Sequence, residues 1–178
     1  MLLKRGVISK EAWAALLCLA FFFIPACGYR FSGGGTLPSG VKRVSVPVFE
    51  NRTSEAGIET FFANDLMDEF TRAGIPVADS SESAEAVLKG VIRSISIDTI
   101  SHGTQKSSLE KRVGVIVDVR LESKTGAVLK EYRGLSESET FDSAEGRRSA
   151  IDQNQREAIY TISKRLSEMI YKMLTDDF

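Results

Sequence analysis

Val113-Gly114-Val115-Ile116-Val117-Asp118-Val119-Arg120-Leu121 places an apolar side chain at every second position, counted from Val113. Residues two apart share one face of a strand, so this segment is a strand with one face turned to a core. Its sequence neighbours supply its partners. Upstream, 87–100 is rich in β-branched residues, but its apolar side chains change face: Leu88 and Ile92 against Val91, Ile95 and Ile97. A bulge near Arg93-Ser94 accounts for that change of phase. The polar stretch 101–110, with Gly103, reads as the hairpin loop between the two strands. Downstream, Thr125-Gly126 makes a turn, and 127–135 forms the next strand, which can run on to Phe141.

Outside this meander the period changes. Ile58, Phe61, Phe62, Leu66, Met67, Phe70 and Ala73 recur at helical spacing within 56–73, with Asn64, Asp65, Asp68, Glu69 and Arg72 mostly opposite. Ser54 is the expected N-cap, Gly74 the left-handed stop, and Pro76 bars the helix from resuming. A short strand, 75–78, and a polar loop, 79–85, lead into the meander. Before the helix, Val44, Val46 and Val48 alternate within 41–49, and Pro47 lacks a ladder donor, which puts this strand at a sheet edge or makes it irregular. A last helix from about Gly146 to Thr175 carries the stripe Ile151, Ala158, Ile159, Ile162, Leu166, Met169, Ile170, Met173 and Leu174. The order β-α-β-β-β-α implies an α/β (α+β) two-layer sandwich, with two amphipathic helices on one face of a mostly antiparallel sheet. The other face is left without an intramolecular partner.

The N-terminus has a different character. Lys4, Arg5 and Lys10 precede an apolar run from Ala12 to Ile24, followed by Pro25, Ala26 and Cys27. A positive end, a short apolar run and a small residue describe a secretory leader. Ile24-Pro25-Ala26-Cys27 is similar to a bacterial lipobox, although Pro25 departs from the usual residue. An uncleaved anchor with an incidental cysteine is the alternative. Cleavage would divide the chain into a leader, 1–26, a lipidated N-terminus and linker, 27–40, and a single domain, 41–178. Acyl chains on Cys27 would hold it at a membrane with on the order of 30 kcal/mol. Gly28 is not the aspartate associated with inner-membrane retention, which leans towards the outer membrane. Loss of the leader moves the net charge from −1 to about −3 and leaves Cys27 as the remaining cysteine, so no intramolecular disulfide is expected. No basic excess suggests nucleic acid.

These residues together resemble the LptE family of lipopolysaccharide-assembly lipoproteins. The resemblance is carried by Cys27-Gly28-Tyr29-Arg30-Phe31, Leu37-Pro38, Val44-Ser45-Val46-Pro47-Val48-Phe49, Asn51-Arg52-Thr53, Gly57-Ile58-Glu59 and Ala84-Glu85-Ala86-Val87-Leu88-Lys89-Gly90. It implies a non-enzymatic outer-membrane protein that partners and plugs the LptD β-barrel and helps place lipopolysaccharide in the outer leaflet. It also implies lipopolysaccharide contact through basic side chains, since phosphates take charge-assisted hydrogen bonds from Lys and Arg. Lys130-Glu131-Tyr132-Arg133 resembles the family's basic strand, which makes Lys130 the first candidate and Arg133 the second; Lys106, Lys111 and Arg112 follow. All five could equally be solvated charges. A pilot or chaperone for another outer-membrane complex, such as a secretion pore, is the alternative function.

Other chemistry is thinly represented. His102 is the one histidine, in a Ser/Gly/Thr-rich loop without a nucleophile elbow. One histidine and an acylated cysteine do not make a zinc site, and no cofactor is expected. Gly33-Gly34-Gly35 reads as a linker, and Asn51-Arg52-Thr53, formally a glycosylation sequon, as turn chemistry.

Overall fold

The computed structural model describes residues 35–100, 110–143 and 148–176. Cys27, His102 and Lys106 lie outside them. The elements are β1 (Val44–Ser45), β2 (Glu50–Asn51), α1 (Ile58–Arg72), β3 (Ala86–Ile100), β4 (Glu110–Ser123), β5 (Val128–Asp142) and α2 (Arg148–Thr175). β3, β4 and β5 form the antiparallel meander. β1 and β2 pair in parallel with successive parts of β3, and Val77 bridges to the outer side of Val44. The α+β sandwich expected from the periodicities is the observed fold.

Hydrophobic alternation in β4 sets the two faces. Val113, Val115, Val117, Val119 and Leu121 are buried, as are Ala86, Leu88 and Ile92 from β3. Phe62, Leu66 and Phe70 of α1 and Ile159, Ile162, Leu166, Ile170 and Leu174 of α2 close over them in one core. Fully burying each such side chain stabilises by about 1.5–3 kcal/mol, which is why the helical stripes, rather than propensity, fix where the helices lie.

The single strand expected over 41–49 is broken. Pro47 cannot donate to a ladder, and between the two paired pieces the chain turns Phe49 inward, 3% exposed, while Val48 points out, 62% exposed. Phe49 lies over Gly90 of β3 and stacks on Phe62 with ring centroids 6.0 Å apart. Ser54 is not the helix cap either. The residue before α1 is Gly57, with no side-chain cap, and the Glu59 carboxylate accepts from the Gly57 amide at 3.0 Å. Asn51 explains the displacement. Its Oδ1 accepts from the Thr53 amide and hydroxyl, and its Nδ2 donates to Glu55 O and Glu59 Oε2, so residues 51–57 form a bonded turn before the helix starts. The sequon is therefore turn chemistry, as expected.

The expected bulge is present: the register shifts between Ile92 and Ser94, leaving Arg93 as the extra residue. β5 carries two more, one at Leu129, where the register shifts between Leu121 and Glu122, and one further along. Val117 pairs Leu135 and Val119 pairs Tyr132, so an additional residue is accommodated at Arg133-Gly134, where Gly134 adopts φ +69°. A glycine suits this position because a Cβ disfavours the left-handed region.

Candidate functional site

Among the described residues nothing covers the sheet face opposite the helices, and it is two surfaces. Towards the 101–109 end it is carpeted by Ser94, Ser96, Gly114, Ile116, Ser136 and Ser138. Towards β1 and β2 it becomes a charged groove of about 630 Å³. The positions alternating with the buried ones in β3 and β4 supply Lys89, Val91, Asp118, Arg120 and Glu122; Glu50 and Arg52 come from the edge, Glu131 and Arg133 from β5.

The bulges at Arg93 and at Arg133-Gly134 serve this groove, on either side of the Asp118 carboxylate. Arg93 donates to Asp118 Oδ2 at 2.9 Å, and the Gly134 amide donates to Oδ1 at 2.8 Å. An extra residue in β3 and another in β5, the two strands that flank β4, thus bring an arginine, Arg93 or Arg133, to the open face. Around them runs a ladder of ion pairs: Arg52–Glu50 at 2.8 Å, Lys89–Glu122 at 2.7 Å and Arg120–Glu131 at 2.8 Å. Glu131 is shared. Its Oε1 accepts from Arg120 Nε and Nη2 at 3.3 and 2.8 Å and from Arg133 Nε at 2.9 Å, and lies 2.8 Å from Arg133 Nη2 in an ion pair.

The ion pairs keep the groove charged. Hydrogen bonds from Arg120 and then Arg133 hold the Glu131 carboxyl below its ordinary range. Lys89 does the same for Glu122, and Arg52 for Glu50. Each pair is exposed and therefore weak. Their value lies in orientation: basic side chains are aimed from three strands and an edge at one shallow surface.

The basic candidates of the sequence are not gathered together. Arg133 is in the groove. Arg112, opposite Asp98 and Thr140, is on the open face at the far end, whereas Lys111 pairs with Phe141 on the side of β4 that carries Val113. Lys130 pairs with Leu121 and so lies on the helix side, where its Nζ donates to Met173 O at 3.3 Å and Asp176 O at 3.2 Å. The Tyr132 hydroxyl donates to Met173 O at 2.7 Å. Carbonyls of a last helical turn lack intrahelical donors, and a cation there also meets the negative end of the helix dipole. Lys130 therefore holds the end of α2. Lys130→Ala is expected to cost about 0.5–1 kcal/mol and to speed amide exchange in the last turn of α2 more than elsewhere; uniform exchange would contradict this role.

Arg52, Lys89, Arg93 and Arg120 escaped the sequence reading. The available signal was the alternation itself: between the valines of β4 the side chains grade from Gly114 and Ile116 to Asp118, Arg120 and Glu122. Gly134 inside a strand was a second one. Among the described residues no three His, Cys, Asp or Glu side chains are grouped as a metal ion would need, and no helix is long and apolar enough to cross a membrane.

Fold and site define a class: a small α+β domain whose helices cover one sheet face while the other carries a charged groove. The lipopolysaccharide-assembly model LptE matches residues 41–174, and the chain belongs to that family. No curated protein matches it. Among solved structures, a minor lipoprotein from Acinetobacter baumannii superposes with a TM-score of 0.52 at 13% identity, over 75% of this chain and 90% of that one. A Helicobacter pylori protein described as a homolog of neuraminyllactose-binding hemagglutinin gives 0.50 at 14% identity, over 80% and 90%. At such identities these likenesses speak for the fold alone.

Proposed function

We propose that this chain is a non-enzymatic outer-membrane lipoprotein, acylated at Cys27, that partners and plugs the LptD β-barrel and contacts lipopolysaccharide through the open-face groove. Family membership supports the assembly role. The observation that carries the groove is the convergence of Arg52, Lys89, Arg93, Arg120 and Arg133 on one uncovered surface. Phosphorylated sugars present several acceptor oxygens, and oriented guanidiniums meet them with paired, charge-assisted bonds. Arg133 is thus retained from the sequence candidates. Lys130 is assigned to α2, and Lys111 and Arg112 to positions away from the groove.

The test is binding of purified lipopolysaccharide to the mature chain. Arg93→Glu with Arg133→Glu should weaken it by more than about tenfold, while Lys130→Ala should leave it within about twofold. Equal binding by all three proteins would discard the groove. Co-purification with LptD from detergent-solubilised outer membranes tests the partner; recovery with a secretion pore instead would favour a pilot role. Intact mass of native protein tests the anchor, with an unmodified Cys27 and a retained leader as the contrary result.

A further inference from the structure

We infer that Glu131 is a built-in stand-in for ligand phosphate: it occupies the place between Arg120 and Arg133 that an incoming phosphate oxygen takes, and it leaves when the ligand arrives. The inference rests on the groove reading above. Its basis is the geometry of one atom. Glu131 Oε1 alone receives three guanidinium hydrogen bonds, from Arg120 at 3.3 and 2.8 Å and from Arg133 Nε at 2.9 Å, and forms an ion pair with Arg133 Nη2 at 2.8 Å. Two arginines closing on a single anionic oxygen is how such a pair would grip a phosphate oxygen.

The groove's acids are not equivalent. Asp118 is fixed, because it accepts from the Gly134 backbone amide as well as from Arg93. Removing it would unsettle the bulge. Among the described residues the bonds of the Glu131 carboxylate run only to exposed side chains, and its own side chain is 31% exposed, beside arginines exposed by 43% and 69%. Glu131 therefore has solvent to turn into and no backbone contact to lose. Exposed ion pairs of this type are weak, so the exchange is shallow in both directions. While the site is empty, the carboxylate keeps two like-charged guanidiniums side by side in binding geometry. Once ligand is bound, the same carboxylate competes for them and speeds release. A protein that passes an amphiphile onward gains from a site that lets go.

The test measures affinity and dissociation rate on the full mature chain by surface plasmon resonance. The probes are lipopolysaccharide, its enzymatically dephosphorylated form, phosphatidylglycerol vesicles and inorganic phosphate. Glu131→Gln is expected to bind phosphorylated lipopolysaccharide about fivefold tighter, mainly through slower dissociation. Glu82→Gln, the same change of charge at an exposed position outside the groove, should leave both unchanged. Arg120→Ala and Arg133→Ala should each weaken binding. Weakening by the arginine variants without a gain from Glu131→Gln would overturn the stand-in and leave the groove standing. No effect of either arginine would remove the groove and the stand-in together. A gain that persists on dephosphorylated lipopolysaccharide would refute the exchange. A gain confined to phosphatidylglycerol or inorganic phosphate would overturn the assignment to a glycolipid. Superimposable far-ultraviolet circular dichroism of all variants excludes misfolding as the cause.

Discussion

Gly90→Val is expected to destabilise the domain by about 3 kcal/mol or more. A Cβ at this position would overlap Cδ2, Cε2 and Cζ of Phe49. The ring cannot retreat, because it is 3% exposed and stacked on Phe62, which is itself fully buried. Pro47 and the broken edge strand put Phe49 there, so the clash would be transmitted to the only part of the sheet in which β2 pairs with β3. Urea unfolding of the mature domain measures it. Gly114→Ala is the matched control: its Cβ would meet only Ser96 Oγ, at 3.0 Å, on the open face, where a hydroxyl can rotate away. That change should stay within about 1 kcal/mol. If the Phe49 ring is the cause, Gly90→Val in a Phe49→Ala background should cost only about 1 kcal/mol, a non-additivity expected of residues in contact. An additive pair would show that the glycine is required for some other reason.

Ser163→Ala is expected to cost about 2–3 kcal/mol near neutral pH. Asp65 of α1 is 6% exposed in the helix–helix interface, and Ser163 of α2 donates to its Oδ2 at 2.5 Å. Removing the hydroxyl strands the carboxylate in a dry place. Burial raises the Asp65 pKa above its ordinary 3.8; the Ser163 bond and the charges of Lys164 and Arg72 oppose the rise, while Asp68 adds to it. A raised carboxyl binds more protons when folded than when unfolded. Its contribution to stability is thus fully present below pH 3.8 and is lost as pH rises through the folded-state value. Ser163→Ala removes an opposing influence and should steepen that fall. Asp65→Asn should abolish this component. Melting temperatures from pH 3.5 to 7 on the wild type and both variants decide the point; parallel curves for all three would refute the coupling.

Much of the fold was legible before any coordinates. The alternation of 113–121, the helical stripe of 148–175 and the phase change at Arg93 each reflect a period that burial imposes directly on sequence. The first strand and the first cap were harder. Both depended on partners that periodicity does not announce: Phe49 needed a glycine forty-one residues away to lie on, and Asn51 drew Glu59, eight residues on, into a turn that displaced the helix start. The basic site was the least legible, since Lys130 and Arg133 stand three apart in one strand yet end on opposite faces. An alternating strand without irregularity would also separate residues three apart. What could not be read was which of the two joins the helix side, because the bulge at Arg133-Gly134 breaks the alternation that would run from Leu135 to Tyr132 and Lys130.

Sequence alone determined the layer order and the core stripes, because apolar periodicity and turn residues act locally and need no knowledge of neighbours; the family was legible as a resemblance of motifs. Tertiary structure decided which charges meet. Five basic and four acidic groups from the edge and from β3, β4 and β5 converge in the groove, and cross-strand register places them there. Extra residues, one in β3 and two in β5, reset that register, so the groove exists only once the sheet has formed.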